Sequence, residues 1–178
     1  MEVLPKRFGR FGLAIHPDKT RLLPFHQPPA RKDGPSSPPR GGVGGNEPGT
    51  FDLLGFTHYW ATSRKGNWVV KRQTASSRLS RAMRSIAEWC RENRHPPIGE
   101  QQQTLSQKLR GHFAYYGITG NASALTGFRT AVVRCWRKWL SRRNRERGMT
   151  WHIFNRLLAR YPMPAARAVH SVYTSAKR

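Results

Sequence analysis

The sequence predicts an α+β chain that is mainly helical, with short antiparallel strands first and a bundle of three to four helices after them. Three observations lead there. From Thr74 onward apolar residues recur at helical spacing; before it, β-branched and aromatic runs are separated by turn residues; and a stretch rich in proline and glycine, residues 27–50, interrupts those runs. The boundaries that follow are 1–26, 27–50, 51–73, 74–164 and a tail at 165–178.

In residues 1–26, Lys6 to Phe11 read as the end of a helix closed by Gly12. Leu13 to Ile15 read as a short strand, His16-Pro17-Asp18-Lys19 as a turn, and Thr20 to Phe25 as a second strand. Such a hairpin is too small to fold alone. Half of residues 27–50 are Pro or Gly, a composition that buries too little apolar surface to offset its ordering entropy, so a disordered linker or insertion is expected. Phe51 to Trp60 read as a strand in which Gly55 marks a bend or a close backbone approach. Ser63-Arg64-Lys65-Gly66-Asn67 make a basic turn, and Trp68 to Arg72 return.

Helical periodicity then takes over. Leu79, Met83, Ile86 and Cys90 form a first stripe, with Ser76 or Ser77 available to cap its start and His95-Pro96-Pro97 to stop it. A second helix, about 100–116, carries Leu105, Leu109, Phe113 and Tyr116 on one face. Gly117 and Gly120 end it, and Asn121 can cap the third, whose stripe is Leu125, Phe128, Val132, Cys135 or Trp136, then Trp139, with Gly148 as its stop. Thr150 opens a last helix, Trp151 to Arg160, bearing Phe154, Leu157 and Leu158 before Pro162 and Pro164. The tail shows no clear period.

Charge narrows the function. There are 32 Lys and Arg against 9 Asp and Glu, a formal net charge of +23. That balance opposes compaction and favours a polyanionic partner. Arginine predominates, and its planar fork of donors suits phosphate and base recognition, so nucleic acid leads over an anionic membrane surface. The cations are interleaved with core-type apolar residues, no apolar run is long enough for a membrane span, and the first residues lack the apolar segment of a secretory signal. Cys90 and Cys135 have no further Cys or His at zinc-ligand spacing; they read as two buried free thiols, consistent with a reducing cytoplasm. No phosphate-binding glycine loop, no Ser, His and acid arrangement and no close pair of aspartates is present, so no catalytic residue and no metal ligand is assigned.

The binding candidates are therefore basic and aromatic: Arg64, Lys65, Lys71 and Arg72 around the basic turn, Arg78, Arg81 and Arg84 on the first helix, Lys108, Arg110, His112 and Tyr115 on the second, and Arg137, Lys138, Arg142 and Arg143 at the end of the third. Tyr116 is expected in the core with Tyr115 turned towards RNA. For His112 a packing role and an RNA contact are equally open.

Several stretches taken in order resemble the C-terminal part of a bacterial group II intron reverse transcriptase, or maturase. Phe11-Gly12-Leu13 through Thr20 is similar to a palm segment, and Phe51-Asp52-Leu53-Leu54-Gly55-Phe56-Thr57 to the palm motif that leads into the primer-grip hairpin, continued by Trp68 to Thr74. Arg110-Gly111-His112-Phe113-Ala114-Tyr115-Tyr116-Gly117-Ile118-Thr119-Gly120-Asn121 is similar to the thumb, or maturase-specific domain, extended by Trp136 to Arg143 and Thr150-Trp151. The resemblance implies palm strands followed by a thumb bundle, and a protein that binds intron RNA, assists splicing and mobility, and belongs with RNA-directed DNA polymerases. It places Lys19 near the incoming nucleotide and Leu54 and Gly55 at the primer grip. The family's Tyr-x-Asp-Asp motif is missing from this sequence, so the chain alone is expected to be inactive, to bind no cofactor, and to meet magnesium only within a complete polymerase. The expected partners are structured intron RNA or an RNA/DNA duplex, with an upstream polymerase half or a second copy as further candidates. The orphan apolar residues Phe8, Phe11, Leu13, Ile15, Leu53 and Phe56 are expected to be mobile or sticky. Two alternatives stand beside this reading: the second half of a split polymerase, and a general basic nucleic-acid-binding protein.

Overall fold

The structure is a computed structural model, and it describes residues 3–16, 23–28, 49–63, 65–143 and 148–170. Among these, a three-stranded antiparallel sheet stands beside a body of four helices, with one short helix before both, which makes the fold α+β and mainly α. Helix α1 spans Val3–Gly9. Gly12 follows it in the left-handed region (φ 68), and the N–H of Leu13 returns to the Phe8 carbonyl. The expected strand at Leu13–Ile15 does not form; residues 13–16 and 23–28 have no regular structure, and half of the second expected strand and all but four residues of the expected linker lie outside the described residues. Among the described residues no strand neighbours residues 13–15 to take their backbone groups.

The sheet has strands β1 (Phe51–Leu53), β2 (Phe56–Thr62) and β3 (Trp68–Thr74) in the order β1-β2-β3. The run from Phe51 to Trp60 is thus two strands, not one. Leu54 and Gly55 turn the chain, both at positive φ (50 and 81), and Leu53 pairs with Phe56. A two-residue turn of this kind matches the right-handed twist of the strands it joins.

Helix α2 (Ser76–Glu92) begins without the serine cap expected of Ser76 or Ser77; its N-cap is the buried Ala75, whose own N–H is held by the Gly55 carbonyl at 2.9 Å. The sheet therefore sets the entry angle of the helix directly. Helices α3 (Ile98–Tyr116), α4 (Ala122–Ser141) and α5 (Trp151–Arg160) complete the body. Ile86, Cys90, Leu105, Leu109, Phe113, Leu125, Phe128, Val132, Val133, Trp136, Leu140, Phe154 and Met163 form one continuous core. Trp136, left open against Cys135 for the third stripe, is the fully buried one. Thr150 caps α5 by accepting from the Ile153 N–H. Helix α4 stops at Ser141, well before Gly148: Arg143 turns to donate to the His95 and Pro96 carbonyls, and Ser141 Oγ accepts from the Met149 N–H.

Two buried polar groups fix the body. Gln101, 2% exposed, accepts from Trp136 Nε1 at 2.9 Å and donates to the carbonyls of Arg94 and Pro96. Asn121 occupies the N-cap position of α4, yet its amide does not cap it. It accepts from the Thr74 N–H (3.0 Å) and donates to Thr74 Oγ1 (2.8 Å) and the Tyr116 carbonyl (2.9 Å), which ties the end of β3 to the α3–α4 corner. Together with Arg143 against the His95–Pro96 segment, this makes α2 and α4 run side by side in the same direction.

The aperiodic stretch after α5 is ordered as a strap. Gln102 donates to the Pro162 carbonyl, Arg129 to that of Pro164, Met163 is buried, and Val169 and His170 donate to the Gly117 carbonyl. A Cβ on Gly117 would lie 2.2 Å from the Phe113 carbonyl oxygen and 3.1 Å from the Val169 nitrogen, so only glycine fits where the strap crosses.

Candidate nucleic-acid interface

The candidate surface is built where α2, α3 and the β1–β2 turn meet. Apolar residues at Leu79, Met83, Ile86 and Cys90 turn one side of α2 to the core. Helical spacing then places Arg81 and Arg84 on the opposite side and Arg78 at its edge; all three are exposed. Arg78 and Arg81 also stand near Tyr116, whose phenol is raised above its usual range by burial and by Tyr115, while these two cations oppose the rise. A Cβ on Gly55 would meet Tyr116 Oη at 3.0 Å and Arg78 Cγ at 3.7 Å, so the glycine at the turn lets the sheet approach both.

Tyr115 was expected to face outward, and it is 54% exposed, but its hydroxyl donates to the Leu54 carbonyl at 2.9 Å and its ring stacks on Phe56. Tyr116 meets the same Phe56 edge to face. Phe56 is therefore not an orphan: α3 clamps the sheet through two tyrosines. Leu54, at the tip, is 75% exposed beside the arginines.

The other candidates divide. Lys108 and Arg110 are exposed on different sides of α3, and Lys65 is exposed at the β2–β3 turn. Lys71 is half-buried and donates to the Thr62 carbonyl. Arg72, also half-buried, lies opposite His58 on the other face of the sheet. His112 packs against Phe128 (centroids 3.9 Å) and Tyr116 (4.6 Å), with Nε2 buried and unpartnered. Burial holds its imidazole at about 4, below the usual 6.5, so it is a neutral packing ring in the α3–α4 seam. Lys19 and Arg64 lie outside the described residues.

A second basic group sits at the far end of α4 and is largely engaged with its own fold. Arg137 stacks on Trp151 (4.2 Å) and donates to the Met149 carbonyl, Arg142 stacks on Trp139 (4.9 Å), Lys138 lies 5.9 Å from the same ring, and Arg143 holds the His95–Pro96 carbonyls. The cations do not form one continuous face. Arg78 to Arg84 lie in the first half of α2, and Arg142 and Arg143 lie beyond its other end, which at 1.5 Å per helical residue is ~12 Å from Arg84 and ~21 Å from Arg78.

The cysteines differ from expectation. Both are free thiols, Cys90 buried on α2 and Cys135 only half-buried on α4. Among the described residues no group of His, Cys, Asp or Glu could hold a metal ion, and no helix is long and apolar enough to cross a membrane.

Comparison with curated proteins and with solved structures finds no match. Residues 79–158, which run from the first turn of α2 into α5, match the family model of the group II intron maturase-specific domain, and this match supports a group II intron maturase C-terminal region.

Proposed function

We propose that the helical body binds the structured RNA of a group II intron and assists its splicing and mobility, using Arg78, Arg81 and Arg84 of α2 beside the β1–β2 turn together with the exposed Lys108 of α3. The observation that carries this reading is charge left without internal partners. The chain has 32 cationic residues against 9 acidic ones, and among the described residues a single ion pair forms, Arg91 to Glu92 at 3.6 Å, exposed on α2. Ordinary helix surfaces intersperse both signs; this one leaves its arginines to an outside polyanion. The far group, half engaged with Trp139 and Trp151, adds Lys138 and Arg142 as secondary contacts. No polymerase step falls to these residues, since the sequence holds no Tyr-x-Asp-Asp motif.

Competition tests the preference. A labelled group II intron RNA bound by the chain should resist displacement by an unrelated RNA duplex and yield to unlabelled intron RNA. Equal displacement by both would reduce the protein to a general basic nucleic-acid binder.

One observation favours a second reading, the later half of a split RNA-directed DNA polymerase. Phe11, Leu13, Leu53 and Leu54 are 79%, 57%, 53% and 75% exposed, an apolar surface suited to a polymerase half that would bring its own aspartates and magnesium. Primer extension by that half should then require this chain; identical extension with and without it would exclude the reading.

A further inference from the structure

Strand β3 ends the sheet, and its ladder with β2 fixes which of its backbone groups face outward. Two bonds flank that ladder: the Ala75 N–H donates to the Gly55 carbonyl, and the Ser63 N–H to the Asn67 carbonyl. Hydrogen-bonded and non-hydrogen-bonded pairs alternate along antiparallel strands. With Phe56 opposite Thr74 and Thr62 opposite Trp68, it is therefore Val69, Lys71 and Gln73 that exchange bonds with β2. Trp68, Val70, Arg72 and Thr74 turn their N–H and C=O groups away from it. The Thr74 N–H accordingly goes to Asn121. Among the described residues nothing takes the outward N–H and C=O groups of Trp68, Val70 or Arg72. Sheet edges are commonly guarded by cations. Here Lys71 donates to the Thr62 carbonyl on β2, so its charge is drawn back over the sheet. Val70, at the centre of the open edge, is 45% exposed.

We propose that this edge pairs with the same edge of a second copy of the chain, antiparallel about a two-fold axis at Val70. The strand is self-complementary in that register. Val70 faces the partner's Val70, and Trp68 of each copy faces the partner's Arg72. Residues two apart share a face, so indole and guanidinium meet on one side of the joined sheet. Lys71 lies opposite the partner's Val69. Each outward-facing pair exchanges both of its N–H···O bonds, and the two three-stranded sheets become one. Moving the axis to Lys71 would set Lys71 directly against the partner's Lys71, a destabilising like-charge pair. Moving it to Val69 would leave Arg72 opposite the partner's Gly66, beyond the end of the strand.

One strand pair makes a small interface, and each chain carries a formal charge of +23. The dimer is therefore reversible, and repulsion between the copies opposes it. Added salt screens that repulsion. Pairing strengthens with ionic strength, the reverse of the response expected of RNA binding.

The test is sedimentation velocity of the full chain, freed of nucleic acid, over a concentration series at about 0.1 M and about 0.5 M salt. The weight-average mass should climb from one chain towards two, and should do so at lower protein concentration in the higher salt. Val70→Pro removes an outward N–H that the β2 ladder does not use, a position where an edge strand tolerates proline. It should hold the protein monomeric with an unchanged far-UV spectrum. Val70→Lys should do the same by setting like charges against each other at the axis, and it decides alone if Val70→Pro does not fold. A chain that stays monomeric across the series at both salts, or a dimer that persists in either folded variant, would overturn the proposal.

Discussion

Helices α2–α5 and residues 3–13 draw on similar side chains and use them in opposite ways. In the helical body Leu105, Leu109, Leu125, Val132, Trp136 and Phe154 are 0% exposed. In α1 and the segment after it, Val3, Leu4, Phe8, Phe11 and Leu13 are between 39% and 79% exposed. What separates them is closure. Each helix of the body has a partner for its apolar stripe, and the polar groups its corners bury are answered by Gln101 and Asn121. Among the described residues, Val3, Leu4, Phe8, Phe11 and Leu13 have no such cover, whereas Phe25 lies against Phe51 and Trp60 of the sheet. Between the two, the sheet is only half-closed: Phe56 is claimed by Tyr115 and Tyr116, while Leu53 and Leu54 remain outside. Burial follows from available neighbours more than from the hydrophobicity of a residue.

If that contrast is right, the largest loss of stability comes from the body. Trp136→Ala empties an indole-sized space and strands Gln101 Oε1, and should cost about 3–5 kcal/mol in urea unfolding; a loss under 1 kcal/mol would show that the core is not closed around it. Asn121→Ala leaves the Thr74 N–H buried without its partner and removes one of the two donors to the Tyr116 carbonyl, which keeps the Ile118 N–H, and should cost about 1–3 kcal/mol. It should also loosen the sheet from the bundle, seen as faster amide exchange in β3 than in α3.

His112 gives a smaller effect that depends on pH. Its folded-state value is about 4 and its ordinary value 6.5. As pH falls from 6.5 towards 4, the unfolded chain takes up a proton that the folded chain refuses, so stability declines across that window and levels off below it. His112→Gln should flatten that part of the difference between unfolding at pH 7 and at pH 5; an unchanged pH slope would mean the ring is better solvated than its packing indicates. The smallest change belongs to the N-terminal stretch. Leu13→Ser should move stability by no more than about 0.5 kcal/mol, and a larger loss would show that this leucine is buried in solution.

Much of the body could be read from spacing. The stripe at Leu105, Leu109 and Phe113, the Thr150 cap and the ends of α5 emerge from helical period and capping chemistry, because those rules act within one helix. Gly55 could be read as a close backbone approach, though not what approaches it, since Tyr116 is far away in the sequence. The same limit hid the role of Asn121 and the strap from Tyr161 to His170. That strap is held by backbone carbonyls accepting from Gln102 and Arg129, which leave no periodic trace. Of the candidate interface, charge marked the arginines; only packing could separate the outward Arg78, Arg81 and Arg84 from Arg137 and Arg143, which hold carbonyls of their own fold.

The most direct measurement is the salt dependence of intron RNA binding. The affinity of the unaltered chain should fall steeply as salt rises, because each neutralised phosphate releases counterions. Replacing Arg78, Arg81 and Arg84 together by alanine should weaken binding and reduce the magnitude of the log–log slope by roughly 2–3. An unaltered slope and affinity in that triple variant, or a flat salt response in the unaltered chain, would contradict the account.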